Sequence, residues 1–156
     1  MKKEIKAKNP RGFYRIQITE DGKGVVGDSG WNENQVVNDG IQQYVVNWLV
    51  GDTGNGKSIT YMALGSGSQP ASNGTSLLGE VVKRAAVTTS VTSSRTAVFT
   101  AQFASAASFV TGTVNISNIG LFNTSSGGTI FAGNTYASSS CATNQNVNAT
   151  YQIRFS

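Results

Sequence analysis

The chain has 156 residues, enough for one domain with a real core and too few for two ordinary ones. It has no histidine, and from Ala85 onward its only charged side chains are Arg95 and Arg154, with no carboxylate after Glu80. That shortage argues against an enzyme, because acid/base chemistry, nucleophile activation and metal ligation need His, Asp, Glu, Cys or Lys grouped together.

The first elements in chain order carry the charge. Residues 1–24 hold seven basic side chains against Glu4, Glu20 and Asp21, a local excess equal to the net charge of +4 on the whole chain. This predicts a basic N-terminal arm that, with a linker, spans residues 1–34 and docks on an acidic protein surface. Lys2, Lys3, Lys6, Lys8, Arg11, Phe13 and Arg15 are the candidate contact residues. Nucleic acid is not the expected partner, because Phe13 and Tyr14 are the only aromatics of the arm and sit in an alternating, strand-like run from Phe13 to Ile18. Met1-Lys2-Lys3 leads into no apolar core and no run reaches the ~20 apolar residues that span a bilayer. A soluble product made in a cytoplasm, with no membrane partner, is the expectation. The single cysteine, Cys141, excludes an intrachain disulfide and reads as a small buried residue.

Gly22 to Asn34, rich in Gly, Asp, Ser and Asn, reads as the linker, and residues 35–156 as the domain. A helix near residues 39–50 follows, with Asn38 or Asp39 as N-cap, an apolar stripe of Ile41, Tyr44, Val45, Trp48 and Leu49 facing the core, and Gly51 as its stop. Gly40 weakens its first turn by roughly 1 kcal/mol relative to Ala. Strands are predicted over residues 59–64, 81–91, 97–103, 114–122, 129–132 and 147–155. The last alternates cleanly, whereas the strand from Val114 changes phase, which a β-bulge near Ser117 and Asn118 would explain. Together these predict a mainly β protein, an antiparallel β-sandwich of jelly-roll-like kind, with one amphipathic helix and the extended arm. The polar strand faces carry Thr, Ser, Asn and Gln where edge strands usually carry charge, and such faces invite contact.

Gly51 to Ser58 matches the phosphate-binding pattern G-x-x-x-x-G-K-[ST] letter for letter, but in the wrong order: a helical pattern enters and a strand pattern leaves. A turn is the expectation there, and no cofactor. Gly65 to Gly74 likewise reads as a loop. Glu80 with Lys83 and Arg84 reads as a structural ion pair, since one carboxylate lacks the second group that acid/base work requires.

Four ordered segments carry a resemblance: Val37-Asn38-Asp39-Gly40-Ile41, Met62 to Gly67, Thr75 to Arg84, and Ile119-Gly120-Leu121-Phe122-Asn123 with Ser126-Gly127-Gly128. In these the chain, from about residue 36 to 156, resembles a group of small tailed-bacteriophage virion proteins. Asn118 departs from the pattern, standing where an acidic residue is expected, so an ion pair between that position and Arg84 drops out of the expectation. The resemblance implies a non-enzymatic component of the virion, assembled in a host cytoplasm, that binds coat or tail subunits and itself as a homo-oligomer. With neither heptads nor an internal repeat to build a shaft, the chain suits a capsid decoration or cement protein. The alternatives are a tail, baseplate or fibre-associated protein, a carbohydrate-binding module using Trp31 and Tyr136, and a nucleotide hydrolase using Lys57.

Overall fold

Alternation drives the first strand: Tyr14, Ile16 and Ile18 point into the core while Phe13, Arg15 and Gln17 point out, giving β1 (Arg11–Glu20). A computed structural model describes residues 10–81 and 83–155. In it β1 turns at Gly22 and Gly24, both with positive φ, into β2 (Gly24–Asp28), and β3 (Asn32–Val36) follows. The expected linker is therefore two strands. Both pair antiparallel with the same side of β1, β2 with its second half and β3 with its first. Short Gly- and Asn-rich strands of this kind carry no alternation to read, and they form because β1 supplies an open edge. Residues 11–34 thus belong to the same sheet as the rest, and the boundary expected between 34 and 35 falls inside β3.

The helical segment runs through α1 (Asn38–Ile41), a π turn (Gln42–Val46) and α2 (Asn47–Leu49). Its N-cap is Val37, with no side-chain cap; instead the Asn38 N–H donates to Ser72 O at 2.7 Å, so a loop carbonyl satisfies a donor expected to need Asn or Asp. Gly51 ends the helix at φ 75°, as expected. The apolar stripe holds only in part. Tyr44 is buried, with Ile41 and Val45 partly so, but Trp48 and Leu49 are exposed. The cause is the π turn, whose extra residue rotates everything after it by about 100° relative to an unbroken α-helix. Gly40 is explained by proximity: a Cβ there would lie 2.2 Å from the backbone oxygen of Phe131, so only glycine lets the helix approach the sheet.

The remaining strands are β4 (Tyr61–Gly65), β5 (Ala85–Ala86), β6 (Thr88–Ser93), β7 (Thr96–Phe103), β8 (Val114–Phe122), β9 (Ile130–Cys141) and β10 (Gln145–Arg154). All pairings are antiparallel, in the order β5-β4-β8-β9-β3-β1-β10-β7-β6, with β2 beside β1. The two ends of that order, β5 and β6, are consecutive in the chain and separated by Val87 alone, so the ten-stranded sheet curls almost into a closed barrel. The mainly β, antiparallel expectation with one helical segment holds. The irregularity expected near Ser117 and Asn118 is present: Ile116 faces Ser139 and Asn118 faces Thr135, so the extra residues lie in the partner strand β9.

The main core fills the barrel, with Tyr14, Tyr151, Phe103, Ile116, Ile119 and Leu121 among its fully buried members. A second cluster of Val37, Ala63, Leu77, Phe122 and Ile130 lies on the opposite face of β4, β8 and β9, beneath the loop from Ser66 to Arg84. That loop is fastened by Arg84. Its guanidinium lies 3.5 Å from the Phe122 ring centroid, pairs bidentately with Glu80 at 2.5 and 3.0 Å, and donates to Thr124 O and Gly127 O at 2.9 and 2.8 Å. The structural ion pair is thus Glu80–Arg84, while Asn118, fully buried, donates from Nδ2 to Leu78 O at 2.9 Å.

Candidate functional site

Of the seven candidate arm residues, Lys2, Lys3, Lys6 and Lys8 lie outside the described residues. Arg11, Phe13 and Arg15 are brought together on the outward face of β1 by its period of two. They are not free charges. Arg11 pairs with Glu33 across β3 at 2.6 Å, and Arg15 pairs bidentately with Asp28 on β2, at 2.5 and 3.0 Å. Arg15, with the Gly30 N–H and Gln17, holds the Asp28 carboxyl well below the usual carboxylate range. The ring of Phe13 is flanked by Arg11 and by Arg154, which β10 places opposite Arg11, with guanidinium carbons 5.5 and 4.8 Å from its centroid. The Glu20 carboxylate accepts from Lys23 Nζ at 2.6 Å. Every described cation of the expected arm therefore has an acidic partner within the sheet.

Across β10, β7 and β6 the same outward face continues without acids. The ladder sets Thr88, Thr100, Thr150 and Arg15 in one row, and Gln102, Asn148 and Gln17 in the next. A third row, Ser90, Val98, Gln152 and Phe13, contains the one buried apolar side chain of the β7 outer face, Val98. This is a shallow wall of hydroxyls and amides, and Arg154 is its only charge on β10 and β7.

The loop that matches the phosphate-binding pattern follows a helix end and leads to β4, so the helix presents its C-terminal, partially negative end there. Six of its eight backbone N–H groups, those of Gly51, Asp52, Thr53, Asn55, Gly56 and Lys57, already donate within the chain. The N–H groups of Asp52, Thr53 and Gly56 donate to Asn47, Gly51 and Asp52 carbonyls, that of Lys57 donates to Gln43 O, and that of Asn55 donates to the Asp52 carboxylate. These bonds turn the N–H groups inward to the chain itself, and the turn expected from the order of elements is what forms.

Sequence reasoning missed a cleft at the end of the barrel where β1 begins and β10 ends. It has a volume of about 330 Å³, and Phe99, Phe131 and Ile153 form its floor between the helix and the strand ends. Trp48 and Phe155 stand at its mouth, together with Lys57, its only charged lining residue. The signal lay in Val45, Val46, Trp48, Leu49 and Val50, five apolar residues in six positions, more than one helical face can bury. The Trp48 indole N–H donates to Lys57 O at 3.0 Å, which fixes the ring across the opening.

The aromatic side chains considered for sugar binding are far from equivalent. Trp31 is half exposed, whereas the Tyr136 ring packs against Tyr14, its hydroxyl fully buried. Tyr14 donates to Thr135 O at 2.6 Å, and burial pushes its hydroxyl up to about 12; burial likewise raises the pKa of Tyr44, Tyr136, Tyr151 and the Cys141 thiol. The interior is thus a place where ionisation is suppressed. Among the described residues no helix is long and apolar enough to cross a membrane, and no three His, Cys, Asp or Glu side chains cluster as metal ligands. No family model, curated protein or solved structure matches the chain.

Proposed function

We propose that this chain is a non-enzymatic structural protein of a bacteriophage virion, a capsid decoration or cement protein that binds coat subunits and assembles as a closed homo-oligomer. The observation that carries the reading is the outward wall of β6, β7 and β10. Designed and natural surfaces usually interleave both charge signs at about a quarter to a third of positions. This wall instead offers Thr, Ser, Asn and Gln, with Arg154 as the only charge on β7 and β10. Hydroxyls and amides cost far less to remove from water than ions, so such a face suits permanent coverage by neighbouring subunits. We read the two opposed walls of the barrel, β6-β7-β10-β1 and β4-β8-β9, as the layers of a β-sandwich.

The described cations of the N-terminal region are neutralised inside the sheet, so Lys2, Lys3, Lys6 and Lys8 are the charges left for an acidic coat surface. A deletion that tests this must stop before Arg11: removing residues 1–24 would take away β1, which is hydrogen-bonded on both sides. Deleting residues 2–9 is expected to abolish co-sedimentation with coat particles while the melting temperature stays within a few degrees of the full chain. Undiminished attachment after that deletion, together with undiminished attachment of a Thr100→Lys, Thr150→Lys double variant, would sink the reading.

A further inference from the structure

The barrel end that holds the cleft combines three features that folding does not require. The cleft is the first: it is apolar, open at one side and of a size to admit one large side chain. The second is the apolar surface around it. Leu49 and Val50, which follow Trp48, are 80% and 73% exposed, and Val91, paired with the lining residue Ala97, is 76% exposed. A protein that leaves aliphatic groups so bare next to a cleft ordinarily covers them with a partner.

The third feature is charge: the cleft's own lining carries a cation and no acid, while Asp52, in the adjoining polar hollow that Lys57 also lines, has its carboxylate engaged by Asn55. Lys57 lines the cleft and Arg95 sits on the β6–β7 turn, where its carbonyl accepts from the Phe155 N–H at 2.9 Å. Neither forms an ion pair among the described residues, whereas Arg11, Arg15, Lys23 and Arg84 all do. No acidic side chain lines the cleft. β1 also begins at this end, since Arg11 is paired with Arg154, the residue before Phe155. In the sequence, four of the nine residues that precede Pro10 are lysine.

We propose that this end of the barrel docks a segment of an acidic protein, one large apolar side chain of which fills the cleft while flanking carboxylates meet Lys57 and Arg95. The proposal rests on the coat-binding reading above and names the chemistry of the surface recognised. Charge excludes the chain's own basic N-terminal residues as the occupant, because like charges would face Lys57 and Arg95. The aliphatic surround argues for protein over nucleic acid: Leu49, Val50 and Val91 offer no ring to stack on, and an apolar lining offers few partners for base edges. An anchor in a concave apolar pocket with a charged rim is the usual anatomy of an energetic centre in protein recognition.

The test uses the full chain with Trp31→Phe, which leaves Trp48 as the only tryptophan, and a short probe peptide of Asp and Glu around a central Leu-Phe pair. The expected result is a saturable blue shift of Trp48 emission, with affinity falling at least about tenfold when Leu-Phe becomes Ala-Ala in the peptide. Lys57→Glu and, separately, Leu49→Asp should each weaken binding by about the same factor with unchanged circular dichroism, because both side chains lie outside the core. No saturable shift, equal binding of the alanine peptide, or an equal response to oligothymidylate or to anionic phospholipid vesicles would each overturn the proposal. Particle attachment that depends on residues 2–9 but survives Leu49→Asp and Lys57→Glu would remove this docking surface and leave the coat-binding reading intact. A peptide response without any particle attachment would do the reverse.

Discussion

β8 and β10 are strands of similar length in the same sheet, yet from Asn118 to Phe122 β8 is buried on both faces, while β10 buries Val147, Ala149, Tyr151 and Ile153 and turns every other residue outward. The difference comes from what lies over each. The Ser66 to Arg84 loop covers the β4-β8-β9 wall and builds a second apolar cluster there, whereas among the described residues no segment covers the wall of β10, β7 and β6. One wall of the barrel is finished by the chain itself. The other is open among the described residues, and that contrast is the reason we propose it as the face that neighbouring subunits cover.

The largest expected break in this contrast is at Phe122, which points away from the barrel yet is fully buried. Phe122→Ala should cost about 3–5 kcal/mol in urea unfolding, as a core truncation does, although strand parity alone would class the position as surface. Gly40→Ala comes next. Helix propensity predicts a gain of about 1 kcal/mol, but the new Cβ would meet the Phe131 carbonyl, so a loss of about 1–3 kcal/mol is expected as for overpacking; a stabilised variant would show that the helix does not press on β9.

High pH sharpens the comparison from inside. Tyr14, Tyr44, Tyr136 and Tyr151 all have raised pKa values in the folded state because burial disfavours the phenolate. Their contribution is fully present below the unfolded value near 10 and is lost as pH rises through the folded values, about 12 for Tyr14. Absorbance at the phenolate band should therefore rise for these four only with cooperative loss of structure; a gradual titration of all tyrosines without unfolding would contradict their burial. The smallest effect on stability belongs to the bare wall. Thr150→Lys should change unfolding free energy by no more than about 0.5 kcal/mol, so any large loss of assembly in that variant is attributable to contact with neighbours.

The same contrast explains what could be read in advance. β1, β7, β8 and β10 were legible because their apolar residues either alternate or run continuously between turn signals. The second half of β9, Gly133 to Cys141, was not, because Asn134, Thr135 and three serines form strand only through the ladder that β8 offers. β2 and β3 were hidden for the same reason, and their pairing turned an apparent arm into the middle of a sheet. The helix was placed correctly, but its exposed half depends on a π turn that no spacing rule at 3.6 residues foresees. At the candidate site, Arg11, Phe13 and Arg15 could be identified as a group, while the carboxylates that neutralise two of them come from segments read as linker. The surplus of apolar residues from Val45 to Val50 hinted at an uncovered surface, but not at the cleft itself, whose lining is drawn from the helix and from strands far apart in the chain.

The passage from Ala86 through Val87 to Thr88 has a mechanical consequence. Val87 donates to Thr60 O at 3.0 Å, and the chain leaves the β4 ladder and joins that of β7 within one residue. The seam of the cylinder is therefore held by a covalent stitch where most barrels rely on a full row of hydrogen bonds. Because the two end strands share one continuous backbone, neither can leave its ladder far without dragging on the other, which couples the opening of one wall to that of the opposite wall.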